Sequence, residues 1–205
     1  LRKTRLLDKT RRENDAEHSY ELAILCWFLV IEINKTGVNL NLEKVLMYAL
    51  AHDLVEAYAG DTDAFDLEAV KSKHERESQA LEKLQTNFQY FPDILTTINN
   101  YENQVDPESI FVKSVDKIQP VLNNMRDNGK SWNLNHQTLT FENLCNLKES
   151  TIKDKNILDI WNIIKTEILS LLETYQLQIL FEIWHKGFIC FIRHICILND
   201  VFQVY

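Results

Sequence analysis

The sequence predicts an all-α protein, and two observations carry that prediction. The chain has only 4 glycines and 3 prolines among 205 residues, whereas β-sandwiches and barrels need turn residues after every strand. Apolar side chains also recur at helical spacing along most of the chain. Because 45% of the residues are hydrophobic and 10% are aromatic, disordered and collagen-like classes are excluded. We therefore expect one helical domain with a sizeable core.

Two apolar helices open the predicted fold. The first runs from about residue 16 to residue 35, with Asp15 as its cap and Gly37 just past its end. Asn41 caps the second, which the pattern extends over residues 42–58. The inward positions predicted for this second helix are Val45, Leu46, Ala49, Leu50 and Val55.

The middle of the chain predicts three more helices. A charged and exposed helix is expected over residues 67–84. Pro92 and Pro107 each suit a first helical turn, so further helices should begin there. The second of these extends to about Arg126 and should bend at Pro120, which removes one backbone hydrogen bond.

The C-terminal part of the chain predicts a loop, one or two helices and an apolar tail. Residues 127–137 are typical of a loop, and residues 138–175 follow with helical spacing. Without any repeat or linker, residues 1–175 are predicted to form one domain. Residues 176–205 would be an apolar extension, packed on that domain or at an oligomer interface. The apolar stripe before it comprises Ile157, Ile160, Trp161, Ile164, Ile168 and Leu171.

Charge and cysteine content narrow the functional classes. The net charge is −8, which disfavours a general nucleic-acid binder, although residues 1–12 are basic. The four cysteines form no C-x-x-C pair, which predicts reduced thiols in the cytoplasm. The start of the chain is unlike a secretory signal, and no uninterrupted apolar run is long enough to span a bilayer, so no membrane partner is expected.

A cluster of polar residues on the second helix is the first sign of a site. His52 and Glu56 are four residues apart and share a face of that helix, and Asp53 lies roughly 100° further round. If these groups were buried without a partner, they would destabilise the folded state. Imidazole and carboxylate together suit a divalent first-row metal ion, which would compensate them.

Two further residues are candidates for the same site. His18 lies near the start of the buried first helix, and Asp116 lies among inward residues of the helix that begins near Pro107. Structural alternatives exist for each residue. His18 would then cap its helix, Asp116 would pair with Lys113 or Lys117, and His52 would be a satisfied core histidine.

Taken in order, these residues resemble a known family signature. His18, the His52-Asp53 pair and Asp116 resemble the H…HD…D pattern of the HD-domain phosphohydrolases. The surrounding segments RRENDAEHSYELA, ALAHDLVEAYAGD and VKSVDKIQPVL are similar to three motifs of the 5′-deoxynucleotidases in that superfamily. The likeness covers residues 11–127 best. It implies a single HD-domain helical bundle with a metal site in its core.

The resemblance also implies the metal ligands. His18, His52, Asp53 and Asp116 would hold one divalent ion, which is Mn, Co, Mg, Fe, Ni or Zn, and would leave positions for water or phosphate. Branches of the superfamily with two or three metals need additional histidines before the last ligand. Only His74 lies there, on the charged helix, so a single metal is implied.

Catalytic and substrate-binding roles follow from the same likeness. Glu56 matches the catalytic glutamate, which orients water and shuttles a proton; otherwise it is a helix-surface carboxylate. Asp61 matches a residue that contacts the sugar or assists catalysis; otherwise it is a turn residue after Gly60. Arg11 and Arg12 would bind phosphate, or else only solubilise the terminus.

One departure from the family concerns the segment LRKTR at residues 1–5. Family 5′-nucleotidases place an Arg-Trp pair upstream of the first ligand, touching phosphate and base. This chain has Arg2 and Arg5 there but no Trp. The likeness also extends to Glu102, which would at most contact the metal ligands and would not bind the metal itself.

The implied function is a metal-dependent 5′-nucleotidase that releases phosphate from deoxyribonucleoside monophosphates. Its partner would be a nucleotide or another small phosphate ester, and the resemblance implies a homodimer. Two alternatives stay open. A triphosphohydrolase of the same fold would release tripolyphosphate from deoxynucleoside triphosphates, and a non-catalytic module would only bind nucleotides.

Overall fold

The computed structural model describes residues 2, 4, 11–62, 67–126 and 140–177 of the chain. Every regular element in these ranges is a helix, which confirms the all-α prediction. None of these helices is long and apolar enough to cross a membrane. In order they are α1 (Asp15–Asn34), α2 (Leu42–Ala51), α3 (Glu56–Ala59), α4 (Leu67–Lys71), α5 (Lys73–Asn87), α6 (Pro92–Asn103), α7 (Pro107–Arg126), α8 (Phe141–Thr151) and α9 (Lys155–Leu177).

Helix α1 begins one residue earlier than the sequence predicts. Asn14, not Asp15, is the cap: its side chain accepts a hydrogen bond from the backbone of Glu17. Glu17 in turn accepts from the backbone N–H of Asn14, which completes a reciprocal capping box. This start places His18 in the first turn of the helix, on its buried side.

The second predicted helix is interrupted. Asn41 caps it as expected, but α2 ends at Ala51, and α3 begins only at Glu56. Between them the backbone bonds span three residues instead of four, as from Leu54 N–H to the carbonyl of Ala51 at 3.2 Å. This tighter winding turns each residue through roughly 120° instead of roughly 100°. The faces that a continuous helix would assign to this segment therefore change.

Most of the inward positions predicted for the second helix are buried. Val45, Ala49 and Val55 are buried as expected. Leu50 is 55% exposed, and Tyr48 takes a buried position instead, with its hydroxyl donating to Asp106 at 2.7 Å. The prediction for Leu50 was therefore wrong: the helix turns inward the nearly opposite side, where the Tyr48 hydroxyl has a polar partner.

The later helices follow the prediction with one exception. Residues 67–84 were expected to form one helix, but the chain breaks at Ser72 into α4 and α5. Within α5, Ala80 and Leu84 are buried, so one face of this charged helix contributes to the core. Pro92 and Pro107 begin α6 and α7 as predicted, and α7 continues past Pro120 to its end.

The core lies where α1, α2 and α7 pack together, with α6 against α2 and α7. Phe111, Val112, Val115 and Ile118 on α7 are buried, so Asp116 lies among inward residues as the sequence predicts. Helix α3 packs on α5, and α8 packs on α7. These contacts bring three polar segments, from α1, the end of α2 and α7, to one buried place.

The chain divides into two units, residues 1–162 and residues 163–205. The first contains α1 to α8 and the start of α9, including buried Ile157 and Trp161. The predicted loop at residues 127–137 lies outside the described residues, as does the predicted apolar tail beyond residue 177. Their structure, and the predicted domain boundary at residue 175, therefore stay predictions.

Candidate metal centre

Four side chains meet in the core, and they come from three separate elements. His18 lies in the first turn of α1, His52 and Asp53 lie where α2 ends, and Asp116 lies on α7. His18, His52 and Asp53 each place one ligand atom within 4.8 Å of the others. Asp116 Oδ1 lies 3.1 Å from His18 Nε2 and 3.9 Å from His52 Nε2. The structure thus brings together all four residues predicted as ligands.

The protonation of His52 shows what the cluster lacks. Its Nδ1 lies 2.9 Å from the carbonyl oxygen of Ala49, which can only accept, so Nδ1 carries the proton. The other nitrogen, Nε2, is sealed from solvent and has no hydrogen-bond partner among the described residues. It faces Asp53 Oδ1 at 3.0 Å. This nitrogen and the carboxylate are both atoms that bind metal ions, and a shared cation would satisfy both.

His18 is held from both sides. Its Nε2 lies 3.1 Å from Oδ1 of Asp116, and its Nδ1 lies 3.5 Å from Oε1 of Glu13. Burial disfavours the charged imidazole, but the hydrogen bond with Asp116 and the nearby carboxylate of Glu13 outweigh it and raise the pKa of His18 to about 10. This strong attraction for positive charge is what a metal ion would use in place of the proton.

The two aspartates are held in their ionised form. Burial alone would raise the pKa of Asp53, but the charges of His52 and Arg2 lower it below its usual value. Burial is likewise outweighed at Asp116, where Lys117 and the two histidines hold the pKa well below its usual range. Lys117 Nζ lies 2.6 Å from Asp116 Oδ2. Lys117 was one structural alternative for Asp116, and this pair coexists with the contacts to the histidines.

Together these donors fit a divalent metal ion. Two imidazoles and two ionised carboxylates match the preferences of first-row ions, and the sealed nitrogen of His52 is the group that such an ion would satisfy. The second nitrogens of His18 and His52 are oriented by Glu13 and a backbone carbonyl, as is usual for ligating histidines.

Two residues that the sequence did not assign to the site are Arg2 and Glu13. The backbone of Glu13 pairs with Arg2 and Thr4 through two hydrogen bonds of 3.0 Å, which hold this segment against the start of α1. Arg2 Nη1 lies 2.5 Å from Asp53 Oδ2, and Arg2 Nε lies 3.2 Å from Glu13 Oε1. Glu13 is completely buried. For Glu13 the sequence did offer a signal: it is an acidic residue just before the helix cap, after a basic segment.

Glu56 lies beside this arginine. Its Oε2 is 3.3 Å from Arg2 Nη1, and its side chain is 9% exposed. Burial and the negative charge of Asp53 raise its pKa to about 8, although Arg2 opposes them. The carboxyl group can therefore hold or release a proton close to neutral pH.

The other predicted site residues lie further out. Asp61 is exposed and follows Gly60, whose φ of 77° only glycine adopts readily. Its charge still affects Arg2. Arg11 and Arg12 are exposed before α1, and the guanidinium of Arg11 pairs with Glu17 in the capping box. Arg2, not Arg11, contacts the cluster.

Two polar residues noted in the sequence lie on the surface. Glu102 is 45% exposed and binds Lys113, with Nζ and Oε2 2.7 Å apart. His74 is exposed on α5.

Comparison with known proteins agrees with this arrangement. A family model described as "HD domain" matches residues 1–161. The 5′-deoxynucleotidase HDDC2 of Xenopus laevis is 32% identical over 115 residues, which cover 54% of this chain and 53% of that protein. The human HDDC2 is 29% identical over 117 residues, with 55% and 53% covered. The chain thus spans about half the length of the curated relatives that it matches.

Two solved structures are also similar. One, described as a predicted metal-dependent phosphohydrolase from Magnetospirillum magnetotacticum, has a TM-score of 0.67 and 28% identity, covering 83% of this chain and 87% of that one. The other, a conserved hypothetical protein from Pyrococcus furiosus, has a TM-score of 0.55 and 27% identity, with 77% and 84% covered.

Proposed function

The chain belongs to the HD-domain family, and from that premise we propose that it is a metal-dependent phosphohydrolase acting on deoxyribonucleoside 5′-monophosphates. The observation that carries the proposal is the buried cluster of His18, His52, Asp53 and Asp116, in which a sealed imidazole nitrogen faces a carboxylate. The names of the relatives support the choice of substrate. The similar metal-dependent phosphohydrolase supports the type of reaction.

The four residues would hold one divalent ion. When bound, such an ion lowers the pKa of water and neutralises phosphate charge. Arg2 lies beside Asp53 and Glu56 and would bind a phosphate oxygen of the substrate through its guanidinium. The sequence suggested Arg11 and Arg12 for this role. Because they are exposed, they would contact the substrate only at the outer edge of the site.

Glu56 would move the protons of the reaction. A pKa of about 8 leaves its carboxyl group largely protonated at neutral pH. As the water oxygen bonds to phosphorus and the bond from phosphorus to the 5′ oxygen breaks, Glu56 donates its proton to that oxygen. The proton lost by the water restores the acid. Asp61 would assist by its charge near Arg2, or by contacting the sugar.

A phosphate-release screen tests this proposal. The purified chain is incubated with Mn²⁺, Co²⁺ or Mg²⁺ and with 5′-monophosphates, 3′-monophosphates and triphosphates of deoxynucleosides and ribonucleosides. We expect orthophosphate from deoxynucleoside 5′-monophosphates. His18→Ala should abolish its release, whereas His74→Ala, which removes an exposed histidine, should not change it.

Other outcomes of the screen have definite meanings. Tripolyphosphate from triphosphates would favour the triphosphohydrolase alternative. Nucleotide binding without any hydrolysis would favour a non-catalytic module. The cytoplasmic location and the homodimer are also part of the proposal; light scattering of the full chain, and of a chain truncated after Tyr175, tests the second.

A further inference from the structure

An arginine on α5 holds the end of the short helix that carries Glu56. Nη1 of Arg76 donates to the carbonyl oxygen of Ala59 at 2.7 Å, and Nη2 donates to Oγ1 of Thr62 at 2.8 Å. Ala59 is the last residue of α3, and Thr62 lies three residues beyond it. One guanidinium thus bonds on both sides of the two-residue turn that follows α3.

The sequence of α5 directs this arginine towards α3. Arg76, Ala80 and Leu84 follow one another at intervals of four residues, so they share a face of the helix. Ala80 and Leu84 are buried in a core cluster against which Ala59 packs, and α3 as a whole packs on α5. The face that buries these two apolar residues therefore also brings the guanidinium to the end of α3.

Helix α3 needs such a contact because it is a single turn. It has four residues, its end is closed by a 2.8 Å hydrogen bond from Gly60 N–H to the carbonyl of Glu56, and Val55 at its start contributes no side-chain cap. A helix of this length is not stable by itself, and its last carbonyl groups have no partner within the helix. A guanidinium at that end supplies both hydrogen-bond donors and a favourable positive charge.

Glu56, the first residue of α3, places its side chain at the candidate metal centre. Its Oε2 lies 3.3 Å from Arg2 Nη1, and the same nitrogen contacts Asp53. Helix α3 is therefore held at both ends, by Arg2 through the side chain of Glu56 and by Arg76 through a carbonyl group. Because one turn of backbone separates the two ends, a shift at the second displaces the carboxyl group at the first.

We propose that Arg76 is a positioning residue: by binding the end of α3 and Thr62, it holds the carboxyl group of Glu56 at the candidate metal centre. Arg76 acts through α3 and does not itself bind the substrate. This inference rests on the proposed function, because Glu56 is the residue that would transfer the protons.

Hydrogen exchange tests the hold on α3 without turnover. The exchange rate of the Gly60 amide is measured by NMR in the full chain with Mg²⁺ present. Arg76→Met removes both hydrogen bonds and should increase this rate at least about tenfold, the expected effect of losing hydrogen bonds to a charged group. The amides of α7 should exchange as they do in the native chain.

The matched control is Lys71→Met, which removes an exposed positive charge from α4 and should leave the exchange of the Gly60 amide unchanged. A native exchange rate at Gly60 in Arg76→Met would overturn the proposal. An equal increase throughout α7 would overturn it too, because the arginine would then stabilise the whole fold and not α3 in particular.

Kinetics test whether the effect reaches Glu56. Arg76→Met should lower kcat about 10- to 100-fold, since a displacement of about 1 Å at a reacting group has effects of that size. Metal content should not change, and KM should change less than kcat, because the metal ion and Arg2 would hold the phosphate. Arg76→Lys keeps the charge but not the paired donors, so it should recover only part of the loss.

A double variant shows whether the two residues act together. Glu56→Gln already removes proton transfer, so adding Arg76→Met to it should have little further effect on kcat. If the two substitutions instead lower kcat by independent factors that multiply, Arg76 does not act through Glu56 and the proposal fails.

These results separate this inference from the proposed function. If no nucleotide is hydrolysed but Arg76→Met speeds exchange of the Gly60 amide, the proposed reaction fails and the hold of Arg76 on α3 stands. If hydrolysis occurs and Arg76→Met matches the native chain in both exchange and kcat, the reaction stands and this inference fails.

Discussion

The two sides of the metal centre differ in their balance of charge. On the side of Asp53, one guanidinium, that of Arg2, contacts three carboxylates, those of Glu13, Asp53 and Glu56. On the side of Asp116, Lys117 binds the carboxylate, with Nζ and Oδ2 2.6 Å apart. On the first side, burial and the negative charge of Asp53 raise the pKa of Glu56. On the second side, the charge of Lys117 outweighs burial and holds the pKa of Asp116 well below its usual range.

This difference suggests a division of labour. A carboxyl group with a raised pKa is suited to carrying protons, and a carboxylate that a lysine keeps ionised is suited to binding a metal ion. The four residues between the two sides would hold the metal ion. The predictions below remove one part of the acidic side at a time.

The largest effect is expected from Asp53→Ala. Asp53 contacts His52 and Arg2, so its loss removes a ligand and leaves the arginine without its shortest ion pair. We expect metal binding and phosphatase activity to disappear together while the chain stays helical. Metal content by mass spectrometry and far-UV circular dichroism measure this. Asp159→Ala, which alters an exposed acid on α9, is the control. Hydrolysis at the native rate in Asp53→Ala would show that the site is misassigned.

Glu56→Gln should separate proton transfer from metal binding. The amide keeps the size of the side chain but cannot exchange a proton at neutral pH. We expect kcat to fall by about two to four orders of magnitude, the usual contribution of an acid–base group, with metal content unchanged. If the metal were lost as well, Glu56 would be a ligand.

A smaller effect is expected at Glu13, which positions two other residues. Its Oε1 lies between His18 Nδ1 and Arg2 Nε, at 3.5 Å and 3.2 Å. Glu13→Ala should weaken metal affinity about 10- to 100-fold, as is usual when the partner of a ligating histidine is removed. Glu13→Gln, which restores a hydrogen-bonding oxygen, should recover part of that loss. Competition with a chelator measures both affinities, and native affinity in Glu13→Ala would exclude the positioning role.

Removal of Arg2 should weaken substrate binding and raise KM, because Arg2 would bind phosphate. The smallest effect expected is the accompanying shift in the pH dependence of kcat. Arg2 stabilises the ionised form of Glu56 and so lowers its pKa against burial and Asp53. Removing this charge in Arg2→Met should raise the pKa of Glu56 further, by roughly one unit. The limb of the kcat–pH profile that Glu56 governs, near pH 8 in the native chain, should therefore move to higher pH. If this limb of the kcat–pH profile does not move, then either Glu56 does not govern it or Arg2 does not lower the pKa of Glu56.

The fold was largely predictable because helix formation depends on local patterns. Asn41 and the prolines at positions 92 and 107 begin their helices as expected, since each acts on its own first turn. The error at Leu50 arose because a pattern of apolar residues does not show that Tyr48 finds Asp106, 58 residues later. The break after Ala51 was missed because no glycine or proline marks the change of winding between Ala51 and Glu56.

The sequence by itself determined the all-α class and the residue types that meet in the core, because three motifs carry His18, His52, Asp53 and Asp116 on apolar helices. Only the tertiary structure decided how these residues are surrounded. Arg2 reaches Asp53 across 51 positions of sequence, and His18 lies 3.1 Å from Asp116 across 98. The local sequence shows neither contact, because ionic interactions depend on distance in space and on burial, both of which arise only when distant segments pack together.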